Sequence, residues 1–141
     1  MTPFNRVFLA RPSLSFKVQI LSSSRGHLHV GFCQPFTPIP LRFNPVSWFL
    51  CRADTQLFEC GKHGPVCAEG MRITAGTIVS VEKDPRKCAL LFRLDGTDLV
   101  NSRGEAFGWR STGLSVEEFN ALVGVVEFHF QSAGDEVQIL D

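Results

Sequence analysis

The chain is 141 residues long, 44% hydrophobic and 20% charged, with 12 Gly and 8 Pro; this fits one globular domain and excludes a coiled coil or a wholly disordered chain. Lys plus Arg and Asp plus Glu stand at 14 each, so the net charge is zero and the basic footprint of a general polyanion binder is missing. Apolar runs are only a few residues long, too short for a transmembrane helix.

The charge is unevenly spread. Residues 1–53 hold Arg6, Arg11, Lys17, Arg25, Arg42 and Arg52 and no acid. The plain reading is that two parts of one sandwich share the charge. The acid-free opening MTPFNRVFLARPSLS also has the composition of a short mitochondrial presequence. Residues 1–12 are therefore expected to be an N-terminal strand or extension, with the domain proper over 13–141. Five cysteines (Cys33, Cys51, Cys60, Cys67, Cys88), no glycosylation sequon and no long apolar leader point to free thiols in a reducing, intracellular setting. The cytoplasm is the expected location and the mitochondrion the alternative.

Alternation of apolar and polar residues dominates the chain. Phe16, Val18 and Ile20 alternate with Lys17 and Gln19; Leu28, Val30 and Phe32 follow His27 and His29. Leu90, Phe92 and Leu94 form a third run, and Val126, Phe128 and Phe130 alternate with Glu127, His129 and Gln131. Each run predicts a strand with one face in the core and one toward water. Strands are expected near 5–10, 14–21, 27–33, 46–51, 55–60, 77–82, 87–94, 105–109, 122–131 and 136–140. Gly, Pro, Asp and Asn clusters separate them at the short intervals of an antiparallel sandwich or barrel. One helix is expected at 116–121, where Ser115 and Glu118 make a capping box and Leu114 with Phe119 a hydrophobic staple. Asp95-Gly96 is a hairpin signal.

Residues 34–45, QPFTPIPLRFNP, carry four prolines, which remove backbone donors and fix φ. A stiff loop bearing Phe36, Ile39, Leu41 and Phe43 loses little entropy on docking. It serves either as a binding surface or as a flap tucked back onto the sandwich.

Read in order, several segments resemble a SPRY domain. Ser15-Phe16-Lys17-Val18-Gln19-Ile20 is similar to the family's early strand, and His27-Leu28-His29-Val30-Gly31-Phe32 to the next one, which ends in Val-Gly. Ser47-Trp48, Leu57-Phe58, Gly64-Pro65 and Gly76-Thr77-Ile78 stand where family features stand. The most specific block is Val79, Val81 and Asp84, then Leu90 to Gly96, then Gly104-Glu105-Ala106-Phe107, closed by Val137-Gln138-Ile139. Lys17 replaces a usual acid, Thr77 an Asp and Asp95 an Asn, as in a divergent member.

The resemblance implies an all-β, antiparallel sandwich of two curved layers with one short helix. Trp48, Phe92 and Phe107 are expected in its core. It also implies a non-catalytic module that recognises a peptide or protein surface through end loops, as a subunit or adaptor among other subunits. By position, Phe36, Arg42 and Phe43 are the expected contacts, with Gln131 and Ser132 supplying hydrogen bonds; rigid aromatics and Arg are what interface hot spots favour.

Competing chemistry is thin. Cys60-x-x-His63-x-x-x-Cys67, with Cys51 nearby, offers soft ligands for a zinc-stabilised structural subunit. Gly61 and Gly64 also explain that segment as a turn. No nucleophile elbow, P-loop, dinucleotide fingerprint or His-Glu-x-x-His occurs. No cofactor, metal, catalytic residue or small-molecule substrate is expected, and neither membrane nor nucleic acid is an expected partner. His27 and His29 share one face and are expected to belong to a polar sheet surface.

Overall fold

The structure is a computed structural model that describes residues 4–8, 14–21, 28–34, 46–51, 56–59, 62–66, 73–99, 103, 109–129 and 136–140. Its elements in order are β1 (Phe4–Phe8), β2 (Ser15–Ile20), β3 (Leu28–Cys33), β4 (Ser47–Cys51), β5 (Gln56–Glu59), β6 (Lys62–Val66), β7 (Ile78–Asp84), β8 (Ala89–Leu94), β9 (Thr97–Asp98), β10 (Trp109–Ser111), α1 (Val116–Asn120), β11 (Val123–His129) and β12 (Val137–Leu140). All pairings between these strands are antiparallel. One sheet runs β1-β11-β3-β4-β5-β6; the other runs β10-β8-β7-β2-β12, with β9 paired to β8.

The two sheets face each other across one core. Leu28, Val30, Phe32, Trp48, Leu50, Leu57 and Val126 come from the first sheet; Phe16, Val18, Ile20, Val79, Val81, Leu90, Phe92 and Leu94 come from the second. The alternation read in the sequence thus closes a two-layer sandwich. Trp48 and Phe92 are buried in it. Phe107 lies outside the described residues.

Turn chemistry fixes the registers. Asp95 and Gly96 both take positive φ, 51° and 77°, which is the type I′ turn that matches strand twist. It sets Leu94 opposite Thr97. Asp95 is also tied to β7, its backbone N–H donating to the Ile78 carbonyl and its Oδ1 accepting from the Ile78 N–H, both at 2.8 Å. The β7–β8 turn is closed differently. Asp84 Oδ1 accepts from Arg86 N–H at 3.0 Å, and Cys88 enters the left-handed region at φ 47°. The Cys88 carbonyl there receives both the N–H and the hydroxyl of Thr112, at 3.0 and 2.8 Å.

The helix forms for the expected reason. Glu118 N–H donates to Ser115 Oγ at 3.2 Å, and Ser115 N–H donates back to Glu118 Oε1 at 3.3 Å. Phe119 is fully buried and Leu114 packs against the same core.

Two expectations are corrected. A strand, β6, occupies Lys62–Val66, where Gly61 and Gly64 read as a turn; β6 is an edge strand, the position where its Pro65 costs no ladder bond. Of the strand expected at 105–109, only Trp109 lies among the described residues, where it opens β10, Trp109–Ser111. Most consequentially, β3 is buried along its whole length and Val123, Val125 and Glu127 of β11 are buried too, so these strands do not have one face in water. Cys33, Val123 and Val125 are apolar or nearly so, which suits a covered face. His29 and Glu127 lie directly opposite each other in register, so the two polar residues that mimicked a wet face meet each other, with Nδ1 3.5 Å from Oε1.

Candidate functional site

Phe36, Arg42, Phe43, Gln131 and Ser132 all lie outside the described residues, as do Cys60 and Cys67. His63 sits on β6 opposite Phe58. Cys33, at the end of β3, stands opposite Ser47 of β4 and Val123 of β11. Residues 35–45 leave from that end of the first sheet. Residues 130–135 leave from the other end, where His129 pairs with Phe4.

The base of the proline-rich segment is anchored in depth. Gln34 N–H donates to the Val46 carbonyl at 3.3 Å, closing the neck between β3 and β4. Cys33 Sγ donates to the Gln34 carbonyl at 3.2 Å. Directly before Cys33, Phe32 is fully buried and meets the Phe16 ring edge-on, with centroids 5.3 Å apart.

A cation lies against the same ring. The Lys83 ammonium is 5.1 Å from the Phe32 centroid and 5.8 Å from that of Phe119. Nζ donates to the Leu122 carbonyl at 2.7 Å and to the Asn120 carbonyl at 3.3 Å. These are acceptors at and just beyond the C-terminus of α1, which has no basic residue in its own last turn. Lys83 therefore supplies, from the opposite sheet, the positive charge a helix C-terminus favours. Desolvation by burial pulls its pKa from the ordinary 10.5 down to about 8. This lysine ties the helix, the end of β3 and the second sheet together. The sequence reading missed it, although Val79, Val81 and Lys83 keep the inward period of two and so carried the signal.

The outer side of the second sheet is solvated and charged. Arg93 donates through Nε to Asp98 at 2.8 Å and through a terminal nitrogen to Glu82 at 2.9 Å. All three side chains are partly exposed, so the network contributes only about 0–1 kcal/mol per pair. Its geometric effect is to hold the short β9 against β8. Among the described residues no helix is long and apolar enough to cross a membrane.

With this geometry defined, the arrangement can be compared with known proteins. No protein-family model matches the sequence, and no curated protein does. Solved structures do. A crystal structure of a human SPRY domain superposes with a TM-score of 0.75 at 20% identity, covering 99% of this chain and 85% of that one. The SPRY domain of human HERC1 superposes at 0.66 and 17% identity, covering 96% and 78%. The chain has a SPRY-like fold. The order and spacing of the short motifs carried that information at an identity too low for any whole-sequence match. In SPRY-like terms, Trp48 and Phe92 are core residues of the sandwich, and Asp95-Gly96 forms the hairpin of its most specific motif block.

Proposed function

We propose that this SPRY-like chain is a non-catalytic interaction module that grips a peptide or protein surface, acting as a subunit or adaptor in a larger assembly. Phe36, Arg42 and Phe43 are its main contacts, and Gln131 and Ser132 add hydrogen bonds. The observation that carries the reading is the anchoring beneath residues 35–45. A neck closed by Gln34 and Val46, backed by Phe32 and Lys83, is a rigid mount. Aromatic anchors on a rigid mount bind with less ordering cost than anchors on a mobile one. Residues 35–45 and 130–135 leave opposite ends of the sheet. The first segment returns to its own neck, so at about 3.5 Å per residue its tip reaches at most roughly 19 Å, and a partner touching both segments extends along the sheet.

The test is co-purification from cells, with identification by mass spectrometry, of wild type against Phe36→Ala/Phe43→Ala. The double variant is expected to keep its melting temperature and lose the partner captured by wild type. Arg42→Ala is expected to weaken capture, and Gln131→Ala/Ser132→Ala to weaken it less. Full capture by the Phe36/Phe43 variant removes the aromatic loop from the site.

A further inference from the structure

Among the described strands, the first sheet ends in β1 and β6 and the second in β10 and β12. An end strand offers a row of unpaired backbone groups, and proteins blunt such rows with charge, proline, shortness or a bulge. β1 carries Arg6. β6 carries Lys62 and Pro65, and its register with β5 shifts. β10 is three residues long and carries Arg110. β12, Val137-Gln138-Ile139-Leu140, holds no charge and no proline, and its register with β2 is unbroken.

The phase of the ladder tells which backbone groups of β12 are open. Leu21 N–H donates to the Glu136 carbonyl at 2.8 Å, so these two residues form a hydrogen-bonded pair. Such pairs alternate with non-bonded ones along antiparallel strands. Gln138 with Gln19 and Leu140 with Lys17 are therefore the next bonded pairs. The same phase holds on the other side of β2, where Ile20 N–H donates to the Thr77 carbonyl at 2.9 Å. Val137 and Ile139 thus turn their N–H and C=O groups away from β2, toward the open side. Their side chains stand opposite the buried Ile20 and Val18 and carry the inward row out to the rim. Val137 packs against the core, and Ile139 is 38% exposed. An added strand finds two positions to bond and, at those same positions, an apolar row to continue.

Charge narrows the occupant. Residues 130–141 include Asp135, Glu136 and Asp141 and no Lys or Arg. A second copy laid antiparallel, Val137 against Ile139, brings one acidic flank against the other, and like charges directly opposite are destabilising. A strand with basic flanks gains where a copy loses.

We propose that β12 is the docking edge for an extended partner strand whose apolar residues alternate with polar ones and whose flanks are basic. The partner bonds to Val137 and Ile139, lays its apolar side chains beside theirs, and extends the second sheet by strand addition. This surface goes beyond the loop reading and uses none of its contact residues.

The probe is the labelled, end-blocked peptide Lys-Lys-Val-Thr-Val-Thr-Val-Lys-Lys, titrated with the full-length protein and followed by fluorescence anisotropy. Saturable binding in the micromolar range is expected, as suits a small transient interface, and it should weaken with added salt. N-methylation of the valines, whose N–H groups face β12, should weaken binding at least about tenfold, because the peptide loses its donors. N-methylation of the threonines, whose N–H groups face solvent, should not. Glu in place of every Lys should also weaken binding at least about tenfold. Ile139→Pro removes an outward donor and no bond to β2; it should lose the peptide and keep the melting temperature. If that variant does not fold, the methylated and Glu-flanked peptides decide on wild type alone. The idea is overturned by no saturable binding, or by equal binding of the valine-methylated or Glu-flanked peptide. Loss of the peptide in Phe36→Ala/Phe43→Ala places it on the aromatic loop and overturns the idea as well. Dimerisation in sedimentation runs that Ile139→Pro abolishes gives the edge to a second copy and does the same.

Discussion

Lys83 shows how one side chain sets the behaviour of its surroundings. Its stem continues the inward row of Val79 and Val81, and its ammonium reaches the carbonyls of Asn120 and Leu122. Burial lowers its pKa to about 8, so between that value and the ordinary 10.5 the unfolded chain binds more protons than the folded one. Stability therefore rises with pH across this window. Folding is handicapped by the buried charge below about 8 and freed of that handicap near 10.5. In Lys83→Met the rise is expected to vanish; denaturant melts of both proteins at pH 7, 8, 9 and 10 check it, since other titrating groups cancel in the difference. The same substitution strips the buried Leu122 carbonyl of its donor, a loss of about 1–3 kcal/mol. Lys83 and His29 were hard to place from sequence because a polar residue at an inward or covered position has the same letter as one in water. What decides is a partner far along the chain: carbonyls of α1 for Lys83, Glu127 for His29.

Elements with local causes were the legible ones. The helix at 116–120 has its start written in Ser115 and Glu118, and both reciprocal bonds are present. Ser115→Ala is expected to cost about 1 kcal/mol in thermal or denaturant melts. The β8–β9 hairpin was legible from Asp95-Gly96. At Gly96 an added Cβ meets nothing within 4 Å, so Gly96→Ala is penalised only by its φ of 77°, about 1–2 kcal/mol. A larger loss in urea melts would mean that the turn also packs against something. β6 was illegible because its proline is tolerated only through its place at the sheet edge, which no local pattern encodes. For the contact residues, legibility has a different limit. Phe36, Arg42 and Phe43 follow from resemblance and loop chemistry, and pull-down is the experiment that reads them.

For the whole molecule, the sandwich rests on one core shared by both sheets. Phe92 sits in its middle at 1% exposure, and Phe92→Ala is expected to cost about 3–5 kcal/mol. Against a typical total of about 5–15 kcal/mol, equilibrium unfolding should show a domain near its threshold. The two-layer architecture was readable because period-two alternation repeats along most of the chain; which strands neighbour which was not. The sheet order places β2 beside β12 and β1 beside β11, joining the earliest strands to the latest. Ile20 thus waits for Val137, more than a hundred positions downstream. Such wiring delays the reward for loop closure until synthesis is nearly over, so refolding belongs to the millisecond-to-second range of β-rich domains. A growing polypeptide halted before Val137 would hold β2 as a bare rim, open to any other nascent strand.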